Sequence, residues 1–431
     1  SGRVGGPGRS KTGAVGGDGW DERWIGLWWG VSCWELAWGV ALGLWRQWGG
    51  PSQDFVVETT GLLRAWPEDG PPKLWSRDLG EGYSSILADQ GTLYTVYRKG
   101  EDDIVCALNA KDGKTVWEYK YASPPADGHV MEFTAGPRAT PLLSDGMLYT
   151  VSVSGLLHCL DAKTGKLLWK HDLWKDFAGS FLNHGYSSSP IPYQDNIIVL
   201  VGGEGHAVMA FDKKTGKVSW KNQSFMNSYS TPKLINVDGE DQLAIFMAQQ
   251  VIGVDPKNGE LKWSYEIGNQ WNQNICMPIL DSESDILFFS TTSDGSRGCK
   301  LTRKGDKTEL EELWKTRKIQ FYHVNSVKIG DYIYGSSGSG SPNFFAAINM
   351  KTGKIAWRKR GFAKSTFLYA DGKFIILDEN GMLGLATATP EDFTVHAKAQ
   401  ILGERAWTVP TLVGKTLYVR DKAKIMALDL G

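Results

Sequence analysis

Short apolar runs alternate with glycine-marked turns along most of this chain. Residues 140–169 show the pattern well. Thr140-Pro141-Leu142-Leu143 reads as a first strand, and Asp145-Gly146 as a hairpin turn whose glycine supplies positive φ. Met147–Val151 and the run from Gly155 to Leu160 read as a second and a third strand. Asp161-Ala162-Lys163-Thr164-Gly165 is the next turn, in which Asp161 can accept backbone N–H groups and Gly165 takes the left-handed position. Lys166 to Trp169 is an outer strand.

This unit recurs. Asn109–Trp117, Asp161–Trp169, Asp212–Trp220 and Asn349–Trp357 are nearly superposable, and Asp255–Trp263 differs only in detail. Leu313-Trp314 ends a divergent copy. Successive tryptophans from Trp117 to Trp357 are 52, 51, 43, 51 and 43 residues apart. A period of roughly 40–50 residues with several strands per unit belongs to propeller blades. A blade cannot bury both faces alone, and the wedge between blades widens outward. Tryptophan fills that wedge and has an N–H to offer a neighbouring carbonyl. The last unit, from Pro410 to Asp429, lacks an outer strand, whereas Lys73-Leu74-Trp75 has nothing ahead of it to pair with. The expected fold is all-β: an eight-bladed β-propeller of four-stranded antiparallel blades, with the N-terminal strand at Trp75 closing the last blade. The docking positions are Trp75, Trp117, Trp169, Trp220, Trp263, Trp314 and Trp357, with Phe393 in a blade that lacks the motif.

Composition narrows the function. Of 431 residues, 47 are Lys or Arg and 48 Asp or Glu, a balance that gives no electrostatic case for nucleic acid. Cys33, Cys106, Cys159, Cys276 and Cys299 are far apart, with no zinc spacing. Without Cys33, the other four allow two disulfides or buried free thiols. Residues 1–43 read as a leader: a basic flank, an apolar stretch from Trp24 broken by Glu35, then small residues suited to cleavage after Ala41 or Gly43. The competing reading is an uncleaved membrane anchor. The domain boundary falls at 44, with the propeller over 44–431 and a periplasmic or secreted location.

The Asp-x-Lys-Thr-Gly-Lys-x-x-Trp segment resembles the repeat of the pyrroloquinoline quinone (PQQ)-type β-propellers, and the likeness covers residues 45 to 431. That superfamily holds quinoprotein alcohol and glucose dehydrogenases. It also holds cofactor-free propellers such as the lipoprotein of the outer-membrane barrel assembly machinery. Trp45–Pro51, Thr60–Leu63 and Trp66-Pro67 look like the leading segment of secreted bacterial members. The dehydrogenases place a disulfide between adjacent cysteines over the quinone and hold calcium with Glu and Asn near a catalytic Asp. This chain has no adjacent cysteines, and no segment maps onto that metal set. The resemblance therefore favours a non-enzymatic binding or scaffolding propeller of the envelope: a monomer with a protein or peptide partner, or another envelope component, held at the channel mouth or on a blade face, and with neither PQQ nor calcium. A PQQ-dependent dehydrogenase of alcohols or sugars is the alternative.

No G-x-S-x-G, H-E-x-x-H or P-loop motif occurs. What remains is the channel mouth, where residues preceding each innermost strand converge on the axis. Aligning the units puts Tyr83, Arg138, His184 with Tyr186, Tyr229, Trp271 with Asn274, Tyr322 with His323, Lys364, and Arg405 with Trp407 at these places. Convergent aromatic and hydrogen-bonding groups in a concavity describe a ligand or peptide site. Equally, such groups can satisfy one another around a water-filled channel.

Overall fold

A computed structural model describes Gly2 and residues 44–323, 325–337, 343–362 and 364–431. The leader and Cys33 lie outside them. Within the described residues every regular element is a strand, and the strands form eight antiparallel blades. Blades 1 to 7 run in chain order from innermost to outermost strand, beginning at Leu87–Asp89 and ending at Phe393–Gln400. Blade 8 takes three strands from Thr411–Val413, Thr416–Arg420 and Lys424–Asp429, and its outer strand is Lys73–Asp78. Trp75 pairs with Ala427, so the ring closes through the N-terminal strand as the unpaired segment predicts.

The repeat motif is an inter-blade lock. Asp161 Oδ1 accepts the Thr164 backbone N–H at 2.8 Å, and Gly165 has φ +72°. A Cβ on Gly165 would lie 2.5 Å from the Trp117 ring, so glycine is required for contact as well as for the turn. Gly113, Gly216, Gly259 and Gly353 likewise abut Trp75, Trp169, Trp220 and Trp314 of the preceding blade. Each of these tryptophans also donates Nε1–H to a carbonyl of the motif it covers: Trp75 to Ala110 (2.9 Å), Trp117 to Ala162 (3.0 Å), Trp169 to Lys213 (2.9 Å), Trp220 to Pro256 (3.2 Å) and Trp314 to Met350 (2.8 Å). Trp357 reaches Thr389 at 2.8 Å in the blade without the motif. Trp263 departs from this scheme. The next blade offers no motif to cover, and Trp263 turns to Gln242 Oε1 in its own blade, 2.8 Å away.

A register shift accompanies the outer strand of each blade, for example between Leu167 and Trp169. Such a bulge sends the residue before the tryptophan to solvent. Leu74, Val116, Leu168 and Leu313 are accordingly exposed at the rim.

Around the axis, hydroxyls tie the inner strands together. Thr140 Oγ1 accepts Ser85 N–H, Ser189 Oγ accepts Thr140 N–H, and Thr231 Oγ1 accepts Ser189 N–H, all within 3.2 Å. Thr411 Oγ1 donates to Ile86 O at 2.6 Å across the closure. Part of the Ser/Thr content near the mouth is thus structural.

The segment ahead of the first blade plugs the channel. Trp45, 2% exposed, forms a bridge with Ala88 of blade 1, and Arg46 O accepts Leu143 N–H of blade 2 at 2.8 Å. Lys233 of blade 4 donates to the carbonyls of Ser52 and Gln53 at 2.5 and 3.0 Å. Val56–Val57 then pairs in parallel with Thr366–Ala370, making blade 7 five-stranded. One short segment therefore touches inner strands on several sides of the ring. Burial in this plug pushes the Lys233 ammonium down to about 8, and Asp54 opposes the shift.

Cys106, Cys159, Cys276 and Cys299 are free and buried: Cys106 in blade 1, Cys159 in blade 2, and Cys276 and Cys299 in two different core clusters on the approach to and within blade 5. Of the two states open to them from sequence, the structure has the thiols. Burial pushes Cys276 up to about 11 and the others to about 12, which leaves them inert near neutral pH.

A polar knot lies between blades 1 and 2. Arg98 and Asp103 form a buried pair at 2.8 Å, and the Tyr121 and His158 rings meet at 4.2 Å, tilted by 40°. Burial pushes His158 down to about 4 and Asp103 up to about 6. The signs oppose. As pH falls from 6.5 to about 4, the unfolded chain gains a proton at His158 that the folded chain refuses, a loss of about 3 kcal/mol. As pH falls below about 6, folded Asp103 takes a proton before its unfolded counterpart, which restores stability. The expected result is that His158→Gln gains stability relative to wild type as pH drops from 6.5 to 4. Paired melting curves across that range check it; parallel curves would show that His158 does not titrate on unfolding.

Candidate functional site

The chain approaches each innermost strand from the face opposite the strand-end turns, and these approach segments line a cavity of about 220 Å³ on the axis. Its wall is Tyr83, Phe133, Arg138, His184, Ser187, Ser189, Tyr229, Thr231, Gln273, Ile275, His323 and Trp407, and the plug contributes Trp48. Trp48 is held edge-on against the buried Phe55, ring centroids 5.3 Å apart. The channel is thus a cup closed on the plug side by the chain's own leading segment.

Aromatic rings dominate one side. Trp407 lies 5.2 Å from Tyr83 and 5.2 Å from Phe133, and His323 stacks on it at 5.9 Å with 12° between planes. The Arg405 guanidinium sits 4.9 Å from the Phe133 ring centroid and 4.8 Å from that of Trp407. Lys364 Nζ is 5.9 Å from the Trp407 ring and 3.6 Å from Glu379, whose other engagement is the Trp407 Nε1–H at 3.2 Å.

Opposite them, Arg138 donates Nη2–H to Thr134 O at 2.8 Å and Nη1–H to His184 O. The Tyr83 hydroxyl donates to Phe133 O at 3.2 Å, and the Tyr229 hydroxyl accepts the His184 backbone N–H at 3.2 Å. Burial lowers the pKa of Arg138, and the nearby Tyr229 and Tyr83 oppose that shift. Burial pushes His323 down to about 3, helped by the Lys364 charge. It lowers His184 too, with Arg138 the next cause. Both imidazoles are therefore neutral at physiological pH, and the positive charge at the mouth belongs to arginine and lysine.

Of the residues expected at the mouth, Tyr83, Arg138, His184, Tyr229, His323 and Trp407 line the cup, and Lys364 and Arg405 pack on Trp407 beside it. Four others are elsewhere. Tyr186 is 2% exposed in the core between blades 2 and 3, its hydroxyl donating to Val201 O at 3.0 Å. Asn274 is buried and fully engaged: it donates to Met247 O and Ala248 O and accepts from Thr291 and Asn269. Tyr322 is buried behind the wall and donates to Gln273 Oε1 at 2.5 Å. Trp271 stands half exposed on a loop outside the cup.

The Asn274 error has a physical cause. Neighbouring residues of an extended segment point to opposite faces, so Gln273 and Ile275 meet the cavity and Asn274 meets the core. The same parity puts Ser187 and Ser189 in the wall and leaves Tyr186 behind it. Phe133 and Trp48 carry no repeat signal, since one lies in a long connection and the other in the plug.

A family model described as outer membrane protein assembly factor BamB matches residues 29–132 and 127–359. The chain belongs to this family. It is 23% identical over 379 residues to outer membrane protein assembly factor BamB of Yersinia pestis, covering 86% of this chain and 81% of that protein. It is 22% identical over 423 residues to tetrathionate hydrolase of Acidithiobacillus ferrooxidans, covering 85% and 79%. Among solved structures, quinohemoprotein alcohol dehydrogenase ADHIIG from Pseudomonas putida superposes with a TM-score of 0.65 at 14% identity, covering 93% of this chain and 82% of that one. At that identity the superposition establishes the shared propeller and nothing further. The family is a propeller family whose relatives include an assembly factor and enzymes alike.

Proposed function

We propose that this chain is a non-enzymatic binding propeller of the cell envelope, periplasmic or secreted, that holds a polypeptide at the mouth of its channel. The observation that carries the reading is the cup itself: an aromatic recess on the axis, rimmed by arginines and sealed behind by Trp48. Rings and guanidinium groups fixed by packing are what polypeptide hot spots use. The family model and the assembly factor it is named for support the same reading.

The alternative, a PQQ-dependent dehydrogenase, is supported by the fold shared with the quinohemoprotein. Calcium takes six to eight oxygen ligands, mostly carboxylate and carbonyl. The residues around the cup do not fit that group: among the described residues no acidic side chain lines it, and the buried Asn274 has its amide fully engaged. No two of the described cysteines are neighbours in the chain and all four are free thiols, so none forms the disulfide between adjacent residues that the resemblance implies for those enzymes.

A photo-crosslinking residue at Ser187, in the cup wall, is expected to capture polypeptide from an envelope extract. The same group at Thr416, near a turn on the plug side, is expected to capture none. Dye reduction with PQQ, calcium and a panel of alcohols and sugars is expected to stay at background. Quinone-dependent turnover, or equal capture at both positions, would overturn the proposal.

A further inference from the structure

Two guanidinium groups border the cup, and neither has an acidic partner. Among the described residues, no carboxylate oxygen lies within 4 Å of the Arg138 or Arg405 side-chain nitrogens, although lysines and arginines elsewhere do form ion pairs, such as Arg98 with Asp103 and Lys262 with Glu240. Arg138 gives two of its five N–H donors to backbone carbonyls, those of Thr134 and His184, and keeps the others for a ligand. Arg405 lies over both the Phe133 and the Trp407 rings. Tyr83 lies between the two and feels both charges. The acids nearby are occupied: Glu81 accepts the Thr134 hydroxyl, and Glu379 is shared by Lys364 and the Trp407 indole. Among the described residues, no acid lines the wall of the cup.

Holding a partly desolvated cation without a counter-charge is unfavourable. An arriving anion would recover that energy through charge-assisted hydrogen bonds. The recess of about 220 Å³ has room for one large side chain, so the rest of the bound residue would meet Trp48, Tyr229 and the Trp407 face. We propose that the cup is a carboxylate seat, in which Arg138 and Arg405 take the carboxylate of a residue presented by the bound polypeptide. This assignment rests on the reading of the chain as a polypeptide-binding propeller. The carboxylate could be an acidic side chain, a chain terminus or a free small acid, and the chemistry of recognition is shared.

The test is titration calorimetry on the full chain with four probes. They are N-acetyl-Phe-Glu-amide, N-acetyl-Phe-Gln-amide, N-acetyl-Phe-Ala with a free terminal carboxylate, and benzoate. The Glu peptide or the free-terminus peptide is expected to bind at least about tenfold more tightly than the Gln peptide, the size of a charge-assisted bond. Arg405→Gln removes an arginine that packs on the surface of the rings and should erase that preference without lowering the melting temperature. Arg138→Lys should keep part of the preference, and Arg138→Gln should lose it. Equal binding of all three peptides overturns the carboxylate seat and leaves the polypeptide reading standing. Binding of benzoate alone, lost in Arg405→Gln, supports the seat and overturns the polypeptide reading. Binding of none of the four overturns the seat.

Discussion

Trp357→Ala is expected to lower the unfolding free energy by about 3–5 kcal/mol, the range for truncating a buried large aromatic residue. Trp357 is 8% exposed and donates to Thr389 O at 2.8 Å. Its ring packs against Phe393 at 5.4 Å, Tyr334 at 6.0 Å and Phe345 at 6.1 Å. Truncation empties the wedge between blades 6 and 7 and orphans a carbonyl at once. The matched control is Trp271→Ala, which removes the same side chain from a half-exposed loop position and should change stability by under about 0.5 kcal/mol. Urea denaturation of both variants decides it. Comparable losses would mean that docking between blades does not govern stability.

Arg420→Met is expected to lower stability by about 2–4 kcal/mol, through lost charged hydrogen bonds and buried acceptors left unmade. Arg420 belongs to blade 8 and is fully buried. Its guanidinium donates to Ser84 O at 3.2 Å, Thr95 Oγ1 at 3.0 Å, Val96 O at 2.9 Å and Gly80 O at 3.2 Å, all on the blade 1 side of the closure. Burial pushes it down to about 10, still charged at neutral pH. Methionine keeps much of the aliphatic volume and removes these four hydrogen bonds, with Ser84 O retaining the Thr95 hydroxyl. Thermal melting gives the size of the effect, and hydrogen exchange gives its place, with the earliest exchange expected at the seam of blades 8 and 1. A loss below about 1 kcal/mol would mean that desolvating the guanidinium cancels its bonds. Closure would then rest on the Lys73–Asp78 strand.

These two positions differ in how visible they are from sequence. Trp357 stands at the end of a repeated motif, so its role follows from register alone. Arg420 has no repeat signal, and its partners are more than three hundred residues away in the chain. The plug is hidden for the same reason. Trp45 to Val57 looks like a polar, glycine-rich lead-in, yet it inserts into a channel that exists only once eight blades have closed.

The sequence by itself determined the blade, the number of blades and the closing strand. Those follow from local periodicity, from turn chemistry and from a count of strands lacking partners. It also placed six of the cup's wall residues, because position just before an inner strand is a one-dimensional property. The tertiary structure decided which of two adjacent side chains faces the axis, because an extended segment alternates its faces and a shift of one residue exchanges core for cavity. That is why Gln273 replaced Asn274 and why Tyr186 fell into the core. Trp263 bonds Gln242 within its own blade, whereas Trp357, which also faces a blade without the motif, reaches across to Thr389. The floor of the cup is Trp48 because the plug can be positioned only by contacts from several blades at once.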